Sequence, residues 1–168
     1  YKNNGDGTFT AQANIPNIIN FVGSLLLVDL NNDTFLDVLV SAYTSDSVTW
    51  YANDGAGNFG AQQLIGTVHG ASGLAVGTID AGATIDVAVT SYDSNTVVWF
   101  ANSGTGTFGS ANTLDATLSS PGTVNLRDID TDGDLDALVS TAVGSGSADV
   151  LQIFRNDLVP GGTVNFIK

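Results

Sequence analysis

The 168-residue chain has no cysteine, no methionine and no glutamate, and only 4 of its residues are lysine or arginine. Each gap removes a class of protein. Without cysteine there is no disulfide scaffold, no zinc–thiolate site and no thiol nucleophile. With 17 acidic residues and a net charge of −13, there is no basic footprint for phosphate backbones, which excludes nucleic acid as a partner. No apolar run approaches the ~18–20 residues of a membrane-spanning helix. The good helix formers Glu, Met, Lys and Arg are absent or scarce. Every acidic residue is Asp and 20 residues are Gly, both poor helix formers. The composition favours an all-β chain with many turns. A hydrophobic content of 43% is too high for simple disorder, and the length allows one domain.

Self-comparison shows a repeat. Trp50–Gly60 returns as Trp99–Gly109, with seven of eleven positions identical at an offset of 49. Asp37–Tyr43 aligns with Asp86–Tyr92. A third copy runs through Asp136–Ser140 to Ile153–Asn156, with a turn four residues longer around Gly144 and Gly146. Tyr1, Asn3, Gly5, Gly7 and Phe9 match Tyr51, Asn53, Gly55, Gly57 and Phe59. One period reads as four short strands, Ser24–Val28, Asp37–Tyr43, Ser47–Ala52 and Phe59–Ile65, joined by Gly/Asn/Asp turns. Four antiparallel strands in ~50 residues match a propeller blade; a solenoid is the competing repeat architecture. The expected fold is all-β, with β-propeller-type blades of four antiparallel strands, about three blades plus a partial repeat. A single repeat domain over 1–168 divides into a partial blade 1–22 and blades 23–65, 66–114 and 115–168.

An Asp-rich loop lies between the first two strands of each copy. In the third it reads Asp128-Ile129-Asp130-Thr131-Asp132-Gly133-Asp134-Leu135-Asp136. Carboxylates at positions 1, 3, 5 and 9, with Gly at 6 for the sharp turn, form a cage for a hard cation. The competing reading is a solvated acidic turn, in which four carboxylates repel one another. The first copy, 29–37, keeps oxygen ligands as Asp29, Asn31, Asp33 and Asp37, with Thr34 in place of the Gly. The second copy, 78–86, has lost the carboxylates at positions 1 and 5 and is expected to hold no metal.

This loop with its following strand (134–140), together with Asn-Asp-Gly-x-Gly-x-Phe-Gly at 53–60, resembles the FG-GAP/VCBS repeat of the integrin-α-type β-propeller family. The resemblance covers essentially the whole chain. It implies seven-bladed propellers in extracellular or cell-surface proteins, with calcium in the loop joining the first two strands of a blade. It also implies ligation by side chains at positions 1, 3, 5 and 9 and by the main-chain carbonyl at 7. Carried onto this sequence, the ligands are Asp128, Asp130, Asp132, Asp136 and the carbonyl of Asp134. In the first copy they are Asp29, Asn31, Asp33, Asp37 and the carbonyl of Phe35. Two Ca2+ sites are expected, in loops 29–37 and 128–136, and loop 78–86 is expected to be empty.

The repeat phase leaves three arrangements open: a segment of a longer chain, a closed ring of copies, or an open head-to-tail stack. The expected partners are accordingly other copies of the chain or the rest of a longer one, with glycans or surface proteins as further candidates. His69, the only histidine, reads as a surface residue, and no Gly-x-Ser-x-Gly elbow is present. Trp50 and Trp99 read as packing between adjacent blades, or else as a stacking platform for sugar rings. Arg127 and Arg155 are expected to screen nearby Asp charge. Asn32-Asp33-Thr34 is the only glycosylation sequon, and it lies inside the first loop. The expected function is a calcium-stabilised extracellular module with a structural, adhesive or filament-forming role and no catalysis. The alternative is a lectin-like, glycan-binding propeller.

Overall fold

The computed structural model describes residues 1–15, 21–141, 150–157 and 164–167. The expected longer turn around Gly144 and Gly146 lies outside the described residues. Among these residues there is no helix. A short hairpin, β1 (Lys2–Asn3) with β2 (Phe9–Thr10), precedes three four-stranded sheets. The first sheet runs β3 (Val22–Val28), β4 (Asp37–Ala42), β5 (Ser47–Tyr51) and β6 (Gln63–Thr67). The second runs β7 (Ala71–Gly77), β8 (Asp86–Ser91), β9 (Thr96–Phe100) and β10 (Asn112–Asp115). The third runs β11 (Pro121–Arg127), β12 (Asp136–Thr141), β13 (Leu151–Asn156) and β14 (Phe166–Ile167). Each is an antiparallel meander of sequential neighbours. These are propeller-like blades, and no sheet among the described residues closes on itself.

The central strands are apolar and β-branched on both faces, as in Asp37-Val-Leu-Val-Ser-Ala42, because both faces are buried. The first strands β3, β7 and β11 lie side by side, so the sheets stack face to face. One core fills the space between the first and second sheets, around Leu39, Val48 and Trp50 on one side and Leu74, Val87 and Val89 on the other. A second core fills the next gap, with Ile79, Val97 and Trp99 facing Val124, Val139 and Phe154. Both tryptophans are therefore packing residues, and their buried rings offer little face to a sugar.

The fourth strand departs from expectation. It starts at Gln63, where the sequence suggested Phe59. The glycine turn closes first on an isolated Asn53–Phe59 bridge and on a bond from the Gly60 N–H to the Ala52 carbonyl (2.8 Å), and pairing with β5 resumes only at Gln63. The second sheet repeats the same device through Asn102 and Phe108.

Candidate metal centre

All three loops hang on one buried carboxylate. Asp37, Asp86 and Asp136 begin the second strands and are fully buried. One oxygen of each accepts the N–H of the loop's second residue: Leu30 to Asp37 (3.0 Å), Ile79 to Asp86 (2.9 Å) and Ile129 to Asp136 (2.8 Å). The other oxygen accepts the N–H of an asparagine at or just past the end of the third strand: Asn53 (2.9 Å), Asn102 (2.9 Å) and Asn156 (3.0 Å). This clamp fixes where the loop leaves and rejoins the sheet, with or without a cation. Removal from water pushes Asp37 and Asp86 above the usual carboxylate range, and the donated N–H bonds offset part of that.

The asparagines also connect the sheets. The Asn102 side-chain amide donates to the Leu30 carbonyl (2.9 Å) of the preceding sheet's loop, and Asn156 donates to the Ile79 carbonyl (2.9 Å). Sequence reasoning missed this role, although Asn recurs at this position in every copy, including Asn3.

In the third loop, Asp128, Asp130 and Asp136 each bring a carboxylate oxygen within 4.8 Å of the others. That is the spacing of oxygens around one cation rather than of groups avoiding each other, so the triad could hold a metal ion. Asp130 sits above the ordinary carboxylate range, first through loss of solvent around it and then through the negative charge of Asp132 and Asp136. Arg155 screens it only loosely, with Nε 3.6 Å from Asp130 Oδ2. Asp132 lies outside the converging triad. Its Oδ1 accepts the Asp134 N–H (3.1 Å), the first of the hydrogen bonds that hold its carboxyl low.

The first loop is closed by its own groups. The Asn31 amide donates to Asp33 Oδ2 (2.9 Å), and Asp29 accepts the N–H groups of Asp33 (3.2 Å) and Thr34 (2.8 Å). Its carboxylates are not among those that converge. Its backbone nonetheless follows the third loop. Position 4 is left-handed in both, at Asn32 (φ 60°) and Thr131 (φ 68°), and so is position 6, at Thr34 (φ 75°) and Gly133 (φ 103°). The second loop has no positive φ at Ala81, Gly82 or Ala83. There Gly82 N–H binds Asp80 Oδ1 (2.7 Å) and Thr84 Oγ1 donates to the Asn102 carbonyl (2.7 Å). The sequon residue Asn32 spends its amide on the Gly104 carbonyl of the neighbouring sheet (3.0 Å), so a glycan there would have to break an inter-sheet bond.

Residues 83–139, about a third of the chain, match the family model of the FG-GAP-like repeat. That stretch is similar to an FG-GAP-like repeat. The matched stretch runs from the end of the second loop through β8–β11 and the whole third loop into β12. The match suggests a structural or adhesive repeat module. Neither the curated proteins nor the solved structures give a match. No helix among the described residues is long and apolar enough to cross a membrane.

Proposed function

We propose that the chain is a calcium-stabilised structural repeat module that works in an extracellular or cell-surface setting. The observation that carries this reading is the convergence of Asp128, Asp130 and Asp136 in a loop that lies within the FG-GAP-like repeat. Calcium takes six to eight oxygens, and this triad supplies the acidic core of such a shell. Asp132 and the Asp134 carbonyl are the proposed additional ligands. A bound cation would offset the loss of solvent around Asp130 and the repulsion from Asp132 and Asp136, and would tie the end of β11 to the start of β12. The first loop is proposed as a weaker second site, because a cation there must displace the Asn31 amide from Asp33. The second loop is proposed to stay empty. A chain of net charge −13 suits calcium-rich surroundings, where divalent ions damp its self-repulsion.

Thermal unfolding with calcium and with a chelator tests the reading. A ligand at ~100 times its dissociation constant stabilises a fold by about 2.7 kcal/mol. Calcium should therefore raise the melting temperature of the wild type clearly. Asp130→Asn should remove most of that rise, and Asp80→Ala should leave it intact. A wild type that melts identically in calcium and chelator would refute the proposal.

A further inference from the structure

We infer that Asn156 is a positioning residue for the third-loop cation, and that through it the cation site is braced from the second sheet as well as from its own. The inference rests on the calcium reading of that loop and names what sets its affinity. Asp136 is the fully buried member of the converging triad, and both of its oxygens accept N–H groups. Ile129 supplies one (2.8 Å) and Asn156 the other (3.0 Å). The carboxylate therefore points where these two groups aim it. Ile129 is part of the loop itself, so the reference outside the loop is Asn156.

Asn156 ends β13, where it pairs with Phe166 of β14, and its side chain is fully buried. Its amide donates to the Ile79 carbonyl in the second loop (2.9 Å). That residue is pinned at two further points. The Ile79 N–H donates to Asp86 Oδ2 (2.9 Å), and the Ile79 side chain is buried in the core between the second and third sheets. One asparagine thus joins a proposed cation ligand of the third sheet to a fixed residue of the second.

Another contact braces the loop at the same boundary. Leu135, which lies between Asp134 and Asp136, packs so closely on Gly77 at the end of β7 that a Cβ there would stand 2.5 Å from its Cδ1. The first loop is held differently. Asn53 also gives its N–H to the ninth position, Asp37 (2.9 Å), but spends its amide on the Leu36 carbonyl of its own sheet (3.0 Å). Both loops carry Asp at positions 1, 5 and 9, and the carboxylates gather in the one whose asparagine reaches the preceding sheet. A hydrogen-bonded partner orients a ligating carboxylate, and losing such a partner typically costs about 10–100-fold in metal affinity. The coupling is reciprocal, so a cation held better because Asn156 is anchored also makes the second loop harder to open.

Calcium titration of the full chain in competition with a chromophoric chelator tests this, at a temperature where circular dichroism shows every variant folded. The tight site is the one that Asp130→Asn abolishes. Asn156→Ala keeps the main-chain N–H on Asp136 and removes only the amide, and it should weaken that site about 10–100-fold. Asn102→Ala removes the equivalent buried amide between the first and second sheets. It should cost comparable stability in chelator and leave the tight site unchanged. A tight site that survives Asn156→Ala at full affinity, or that falls equally in Asn102→Ala, would overturn the inference while leaving the calcium reading in place. A wild type that binds no calcium would overturn both. Should Asn156→Ala fail to fold, amide hydrogen exchange on the wild type decides. Calcium should slow exchange at Ile79 and Asp80 in the second loop more than at Gly70, at the opposite end of the sheets. Equal slowing at the three sites would overturn the inference.

Discussion

The loops at 78–86 and 128–136 share a frame and differ in electrostatic load. In both, a buried aspartate accepts N–H groups from the loop, two at Asp86 and one at Asp136, and another from the asparagine at or just past the end of the third strand. The second loop then turns without left-handed residues and satisfies Asp80 with the Gly82 N–H. The third turns through two left-handed positions and gathers three carboxylates. The ninth loop position is thus structural first, and carboxylates converge on it only where positions 1 and 3 also carry charge. The first loop stands between them, with the backbone of the third and an internal amide across its carboxylates.

The largest effect should come from breaking the shared frame. Asp86→Ala leaves the buried N–H groups of Ile79 and Asn102 without acceptors. Each unsatisfied buried donor costs about 1–3 kcal/mol, so the loss should total roughly 2–6 kcal/mol. Asp86→Asn keeps one acceptor and should cost less. Urea unfolding in chelator, where no cation contributes, measures both. A near-wild-type Asp86→Ala would mean that the clamp is incidental to stability.

A smaller effect separates Gly106 from Gly57, its counterpart in the first sheet. Gly106→Ala places a methyl group against the Trp50 indole at φ 73°. Overpacking costs about 1–3 kcal/mol, and a left-handed Cβ about 1–2 more. Gly57→Ala carries only the backbone cost in the isolated chain, since nothing lies within 4 Å. Equal losses in the two variants would show that the indole gives way.

Short-range chemistry in this chain was legible from its residues. The repeat, the β-strand runs and the acidic loop follow from spacing alone, because a strand's period and a turn's glycines are local properties. The loop spacing singles out Asp128, Asp130 and Asp136 among its candidate ligands, and their carboxylates converge, while Asp132 Oδ1 accepts the Asp134 N–H. What did not show was long-range. Asn102 reaches Leu30, and Asn156 reaches Ile79, across more than seventy residues of sequence. Nothing local distinguishes a turn asparagine from one that bridges two sheets, although its recurrence in each copy was a usable signal. The late start of β6 was hidden for a related reason: the Phe59 bridge satisfies the apolar pattern without continuing the ladder.

The smallest expected effect concerns the opposite end of the sheets, where the turn before the third strand meets the linker to the next sheet. Asp46 Oδ1 accepts the Gly70 N–H (2.8 Å) and its Oδ2 pairs with His69 Nδ1 (2.9 Å). In the second sheet Asn95 makes the same turn bond, accepting the Ser120 N–H (2.8 Å), but carries no charge. The hydrogen bond to Asp46 holds the His69 imidazole above its usual value, with the charges of Asp46 and Asp93 adding to it. The Gly70 N–H, followed by His69, holds Asp46 below the carboxylate range. The His69 contribution is complete below about pH 6.5 and disappears as pH rises through the raised folded value. The Asp46 contribution is present above about pH 4 and is lost only in stronger acid, through its lowered value. Stability from this pair therefore declines as pH rises above about 6.5 and through the raised His69 value, and exposure to solvent keeps the decline small. Asp46→Asn turns this clamp into the form found at Asn95. It should keep the Gly70 bond while flattening the melting temperature over that interval, and His69→Gln should flatten it equally. A slope that survives in both variants would show that the Asp46–His69 pair is not its source.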